Sequence, residues 1–298
     1  MSKCSNPDVM STNPNVIPNV LVARIVQYFG PVKIVYLTRN GPTQNPHDPG
    51  ILGTFYAASN LPDKVVNLLD ASFRAIDETK VLTIQRMSMG NRIKRRYGLF
   101  GDNVAYKFNN TVHKGLVTAE TQEMIRVMSD WLATEFNSIL ANAYTGEAAI
   151  SPHSDNEGCL ASLLHIPGVS VAPRNPLPGD DYHLVIRTVS QPGVRAKIVY
   201  KYTFPAICLF GMYGPDFQKS FTHAIPAGPK GRGRRVSLTF RELTGMPATT
   251  SKAKPKPKPT PKPKPKDQPQ EGRKRKAEEH DAADATAVGD ADKHVAKK

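Results

Sequence analysis

His153-Ser154-Asp155 places an imidazole and a carboxylate two residues apart, a spacing at which both side chains of an extended segment or tight turn reach one ion. A two-histidine, one-carboxylate centre leaves open positions on iron for a cosubstrate and oxygen, and it needs a second imidazole from elsewhere in the fold. His223 is the candidate. It stands in Ser220-Phe-Thr-His-Ala-Ile-Pro226, apolar on both sides, where an imidazole is either a hydrogen-bonded core residue or a ligand. Further on comes Arg235-Val-Ser237-Leu-Thr239-Phe-Arg241. With a side-chain period of two, Arg235, Ser237, Thr239 and Arg241 share one face, and Val236, Leu238 and Phe240 share the other. Either the polar face of an edge strand lies in water, or it lines a cavity holding two guanidinium groups. At ~3.3 Å per residue these stand at most about 20 Å apart. Guanidinium groups in a cavity need anions, and a dicarboxylic acid supplies two.

Such side chains need a scaffold that converges on one point. Segments 182–189, 195–204, 206–212, 220–225 and 234–243 alternate as strands do. The turn Gln191-Pro192-Gly193 joins the first two. Many short strands with Gly/Pro turns predict a sandwich or jelly-roll barrel. Two helices precede them. One starts after Asn60, with Pro62 in its first turn and Val65, Leu68, Leu69, Phe73 and Ile76 at helical spacing; the other starts near Thr118 and aligns Met124, Met128, Trp131 or Leu132, and Phe136. Met124 and Met128 read as core contacts rather than a ligand stripe. The class is therefore α+β, with a β-barrel holding the site. Residues 20–37 predict two short strands about Gly30-Pro31, while 40–50 and the Pro/Gly-rich 166–181 read as loops, the latter inserted.

The formal charge is +14, of which residues 1–250 carry +8, from 26 Lys/Arg against 18 Asp/Glu. A basic folded part favours polyanionic partners, nucleic acid first. Residues 86–110 interleave Arg86, Arg92, Lys94, Arg95 and Arg96 with Tyr97, Phe100, Tyr106 and Phe108. That is either a loop whose cations hold phosphates and whose rings stack bases, or a solvated hairpin with its aromatics packed inward. From Lys252 to Lys266 there are seven lysines and no acid, alternating with proline, and Gly272-Arg-Lys-Arg-Lys276 follows. These residues predict an extended, disordered cationic tail with a cluster of the nuclear-localisation type. Cys4, Cys159 and Cys208 are too few and too scattered for a disulfide framework or thiolate zinc site, which fits a reducing compartment. No apolar run reaches membrane-spanning length and no signal peptide is legible, so the expectation is an intracellular, nuclear protein without membrane contact, most simply a monomer.

In order, these pieces closely resemble the AlkB-like iron(II)/2-oxoglutarate dioxygenases, over about residues 85–243. The family pattern of Asn-x-Tyr, His-x-Asp nine residues beyond that tyrosine, a distal His, and Arg-x-(Asn/Ser)-x-Thr-x-Arg is matched by Asn142, Tyr144, His153, Asp155, His223, Arg235, Ser237, Thr239 and Arg241. The resemblance implies a double-stranded β-helix and oxidative removal of N-methyl groups from bases such as 1-methyladenine and 3-methylcytosine in DNA or RNA. It implies iron(II) on His153, Asp155 and His223, and 2-oxoglutarate held by Asn142, Tyr144, Arg235 and Ser237, with Arg241 at its metal-chelating end. Glu157 would contact the base, and the segment from Tyr97 to Phe108 resembles the family's nucleotide-recognition lid, with Phe108 stacking and Tyr106 beside it. Arg234 adjoins Arg235, but alternation with Ser237 and Arg241 favours Arg235. The implied organisation is a flexible leader (1–18), an extension packing on the barrel (19–84), the dioxygenase core (85–246) and the basic tail (247–298). Two other readings remain: a non-catalytic basic nucleic-acid-binding scaffold, and an oxygenase acting on protein or lipid.

Overall fold

The computed structural model describes residues 12–78, 83–86, 92–108, 111–144, 147–172, 181–229 and 231–244. The chain divides into two units, Met1–Thr249 and Thr250–Lys298. The Lys-Pro tail and its basic cluster lie outside the described residues, as do the first eleven residues of the leader.

In chain order the elements are α1 (Asn19–Phe29), β1 (Val32–Thr38), β2 (Gly41–Thr43), β3 (Gly53–Ala58), α2 (Asp63–Glu78), β4 (Thr83–Arg86), β5 (Arg92–Phe100), β6 (Ala105–Phe108), β7 (Thr111–Lys114), α3 (Ala119–Leu132), β8 (Ser138–Tyr144) and β9 (Ile150–His153). There follow β10 (His165–Val171), β11 (Tyr182–Thr188), β12 (Ile198–Phe204), β13 (Ile207–Tyr213), α4 (Phe217–Ser220), β14 (Phe221–Ile225) and β15 (Arg235–Arg241). One sheet has the order β2-β1-β3-β13-β10-β15-β8-β5-β4 and a second β12-β11-β14-β9. From β8 to β15 the chain passes back and forth between the two, with β11 and β12 a hairpin in the second sheet. The strand order is that of a double-stranded β-helix, as expected. Facing side chains of the two sheets form one apolar layer, including Ile166, Leu184, Ile186, Phe204, Phe210, Met212 and Phe221. The outer face of the large sheet forms a second layer with α1, α2 and α3, through Leu21, Ile25, Val65, Leu69, Met124 and Met128 against Val169, Leu209, Val236, Leu238 and Phe240. Both methionines are core contacts. Thr118 caps α3 by accepting the backbone N–H of Thr121.

Four expectations are corrected. Residues 19–29 form a helix, not a strand: Leu21, Ile25 and Phe29 are buried at four-residue intervals, while Val20 and Val26 are 69% and 46% exposed. The β-branched content suggested a strand, but the burial period is helical. Gly30 ends the helix at φ +79°, against a backbone that leaves no space for a Cβ, which would stand 2.7 Å from the Asn60 carbonyl oxygen. The stretch from 166, read as an inserted loop, instead begins with β10, a fully buried strand between β13 and β15. Pro167 is tolerated because the ladder with β15 starts only at Gly168. Gly168 is needed because a Cβ there would meet the Phe210 ring at 2.5 Å. Within 40–50, Gly41–Thr43 pairs with β1. Finally, the leader is docked from Asn13 onward. Ile17 is in the core, and the buried Asn15 Nδ2 donates to the Ile51 carbonyl at 3.3 Å and to Asp216 Oδ2 at 3.1 Å.

His165 opens β10 inside the helix–sheet layer. Its Nε2 accepts from the Tyr56 hydroxyl at 2.6 Å, and its Nδ1 lies 3.4 Å from Thr134 Oγ1. Burial pushes its pKa from the ordinary 6.5 down to about 3, so the fold requires it neutral. The unfolded chain then binds the extra proton. Stability from this residue is complete above about pH 6.5 and is lost as pH falls toward 3, by several kcal/mol. In urea unfolding at pH 7.5 and pH 5, the advantage of wild type over His165→Gln, which cannot charge, shrinks at the lower pH. An advantage independent of pH would contradict this assignment.

Candidate metal centre and the polar face of the barrel

β9 and β14 are neighbours in the small sheet, and their register sets His153 directly opposite His223. The rings lie with centroids 4.2 Å apart. Asp155 follows β9 at once, and its carboxylate reaches both: Oδ1 lies 3.8 Å from His153 Nε2 and Oδ2 lies 3.6 Å from His223 Nε2. One donor atom from each residue falls within 4.8 Å of the others. The His153 Nδ1–H donates to the Ser151 carbonyl at 2.9 Å, which turns Nε2 toward the carboxylate. Burial, with the neighbouring His153, pushes His223 down to about 3, so its imidazole is neutral and offers a lone pair.

Asp155 is 2% exposed. Burial pushes its pKa up, but the charge of Arg241 outweighs this and holds it below the usual carboxylate range. Arg241 Nη2 donates to Asp155 Oδ1 at 2.7 Å. The Asp155 backbone N–H donates to Gln218 Oε1 at 2.9 Å. Gln218 sits in α4, five residues before His223, and is itself buried. Nothing in the sequence singled it out, because a glutamine on a four-residue helix has no recognisable period.

Arg235, Ser237, Thr239 and Arg241 do share one face, and it is not the face of an edge strand. β15 lies between β10 and β8, pairing Arg235 with Tyr144, Ser237 with Asn142, and Arg241 with Ser138. On its other side Ser237 pairs with Ser170. Tyr97, from β5, stands opposite Asn142. A polar row thus crosses the sheet from Tyr97 through Asn142 and Ser237 to Ser170. Ser170 was lost to the sequence reading because its strand was taken for a loop.

Arg235 is 2% exposed. Its Nη1 donates to Ser170 Oγ at 2.8 Å and its Nη2 to the Pro205 carbonyl at 2.7 Å, while Nε has no hydrogen-bond partner. No carboxylate among the described residues pairs with it, and burial pushes its pKa below the ordinary arginine value. Arg241 is different. Besides Asp155, its Nη1 donates to the Tyr106 hydroxyl at 3.0 Å, and that hydroxyl donates in turn to Glu157 Oε1. Arg241 therefore steadies the Asp155 carboxylate, leaving only Nε unpartnered for anything else. Glu157 Oε2 also has no hydrogen-bond partner among the described residues.

The lid expectation needs revision. Residues 92–100 are strand β5, hydrogen-bonded to β8 in the large sheet, and the second half is the β6–β7 hairpin rather than a loop. Tyr106 is buried in the network with Arg241 and Glu157, whereas the side chain of Phe108 lies outside what the structure describes. On the same hairpin, His113 Nε2 lies 3.2 Å from the Tyr97 hydroxyl. The structure thus gathers His153, Asp155, His223, Arg241, Tyr106 and Glu157 into one cluster, and Asn142, Tyr144, Ser237 and Arg235 along the adjoining strands. Two imidazoles and a carboxylate converging at the end of a barrel suit a divalent transition ion with open positions. The partnerless buried guanidinium Nε of Arg235 suits an anion inside the same barrel.

No family model matches the chain, and no curated protein does. Among solved structures it is similar to a Pseudomonas putida prolyl-4-hydroxylase, with a TM-score of 0.40 and 14% identity over 75% of this chain and 100% of that one. It is also similar to a Trichoplax adhaerens prolyl hydroxylase in complex with a hypoxia-inducible-factor oxygen degradation domain peptide, with a TM-score of 0.40 and 10% identity over 76% of this chain and 88% of that one. The jelly roll itself is read from the chain's own strand order. Among the described residues, no helix is long and apolar enough to cross a membrane.

Proposed function

We propose that this chain is an iron(II)- and 2-oxoglutarate-dependent dioxygenase that demethylates N-alkylated bases in DNA or RNA, in the manner of the AlkB-like enzymes. The observation that carries this reading is the pairing of the His153, Asp155 and His223 cluster with Arg235, a buried cation without an acidic partner among the described residues, on the inner face of the same barrel.

His153, Asp155 and His223 hold the metal. Arg235 binds the distal carboxylate of 2-oxoglutarate, with Tyr144 opposite it and Asn142 and Ser237 two pairs further along the strands. Arg241 keeps Asp155 ionised and aimed, and the Tyr106 hydroxyl ties the β6–β7 hairpin to that ion pair. Glu157 is held by Tyr106 through one oxygen, and the other, 3.9 Å from Arg241 Nη1 and without a hydrogen bond, faces substrate. Bases such as 1-methyladenine and 3-methylcytosine are cationic near neutral pH, so a half-buried carboxylate beside the metal would favour them over unmodified bases. When bound, iron(II) with 2-oxoglutarate and oxygen supplies the oxidation that hydroxylates the N-methyl carbon; 2-oxoglutarate leaves as succinate and carbon dioxide, and the hydroxymethyl product splits into formaldehyde and the free base. The net positive charge of residues 1–250 favours a nucleic-acid strand, whose base must be turned out of its stack to reach the cluster.

The test is incubation with iron(II), 2-oxoglutarate and a single-stranded oligonucleotide carrying 3-methylcytosine, as DNA and as RNA. One formaldehyde per succinate is expected, with none from His153→Ala. Retained oligonucleotide binding with no succinate from wild type would instead make the protein a non-catalytic basic binder. Succinate without formaldehyde on either nucleic acid would move the substrate to another class.

A further inference from the structure

Arg232 lies three residues before Arg235 and is 6% exposed. Its guanidinium carbon sits 3.5 Å from the centroid of the Tyr182 ring, and that of Arg235 lies 5.5 Å from the same centroid. Arg232 Nη2 donates to the Ala148 carbonyl at 3.1 Å and Nη1 to the Asp181 carbonyl at 3.4 Å, while Nε, like that of Arg235, has no hydrogen-bond partner. Gly228 makes the room: a Cβ there would stand 2.1 Å from the Arg232 guanidinium carbon. No acidic side chain among the described residues pairs with either arginine. Tyr182 in turn packs against Tyr144, the cross-strand partner of Arg235, with centroids 6.0 Å apart.

Two buried like charges sharing one ring repel each other, and carbonyl dipoles neutralise neither. Stacking alone would not require a second cation here, since an apolar side chain could cover Tyr182 at lower cost. Burial of Arg235 pushes its pKa down first of all, and the nearby charge of Arg232 works in the same direction. An anion entering beside Arg235 relieves this repulsion as well as pairing with Arg235. We infer that Arg232 is a second anion-reading residue of the cosubstrate pocket, and that the two arginines together set its preference for a 2-oxo acid ending in a carboxylate. The inference rests on the dioxygenase reading proposed above.

The test measures binding rather than turnover: calorimetric titration of the manganese(II)-loaded protein with 2-oxoglutarate and with 2-oxopentanoate, in which a methyl group replaces the distal carboxylate. Arg232→Gln is expected to weaken 2-oxoglutarate on the order of tenfold, the weight of one hydrogen-bonded or closely placed charge, and to leave 2-oxopentanoate unchanged. Arg232→Lys, which keeps the charge, recovers part of that loss. If Arg232→Gln lowers the melting temperature but preserves the ratio of the two affinities, or if Arg232→Lys binds as weakly as Arg232→Gln, Arg232 is only a staple between Ala148, Asp181 and Tyr182, and the inference fails. If wild type itself binds neither acid, or shows no preference between them, the dioxygenase reading fails and takes this inference with it. The wild-type titration therefore separates the two failures.

Discussion

Arg241→Met should lower the unfolding free energy of the metal-free protein by about 3–5 kcal/mol, the usual result of removing one partner from a buried ion pair. Burial would by itself push Arg241 toward deprotonation, but Asp155, Tyr106 and Glu157 reverse this, and its pKa is raised. Asp155, with almost no access to water, would keep only the neutral His223 imidazole and the His153 ring beside its carboxylate. The Tyr106 hydroxyl would lose its donor as well. Urea unfolding followed by circular dichroism measures the loss. Saturating manganese(II) should narrow the gap between variant and wild type, because a divalent ion on Asp155 takes over part of the neutralising role. A loss below about 1 kcal/mol would show that the carboxylate finds water or another partner.

Arg235→Met should behave oppositely. Burial already works against the charged form of Arg235, and no acid among the described residues compensates it, so removing the cation should cost the empty protein little, within about 1 kcal/mol. The cost appears on binding. Losing a charge-assisted guanidinium–carboxylate contact at a buried site is expected to weaken 2-oxoglutarate on the order of 100-fold, as titration of the manganese(II)-loaded variant would show. Two arginines six positions apart on one face of one strand would thus separate cleanly, one holding the fold and the other holding the ligand. Equal losses of stability in both variants would refute that division.

The polar face of β15 was legible because a strand imposes a strict period of two, so four polar residues in seven had to fall together. His153 and Asp155 were legible for a similar local reason. His223 was harder, since only the fold brings it opposite His153, and the sequence offered no more than an imidazole in apolar surroundings. The helix at 19–29 was missed because β-branched residues mask a burial period of four. The strand β10 was missed because Pro167 and Gly168 carry loop signals that a start-of-ladder position and a close aromatic contact explain better. Losing β10 also hid Ser170 and made the interval between the two histidines look like an insertion, when part of it is a central strand of the barrel. Gln218, Tyr182 and Arg232 owe their places to tertiary neighbours alone, and no spacing rule reaches them. Tyr106 was found from its aromatic, basic surroundings, although its hydroxyl proves to be tied to Arg241 and Glu157 as well as standing near the proposed substrate.

The direct pairing of His153 with His223 has a bearing on how the molecule matures. A slip of one residue between β9 and β14 would send one imidazole to the opposite side of its sheet, so a chain can have nearly all its secondary structure and still lack a metal site. The pairing also joins segments seventy positions apart, a loop that is slow to close compared with the helices and hairpins nearby. Metal uptake during refolding would accordingly lag the recovery of helical signal, and its rate would time the closure of the barrel.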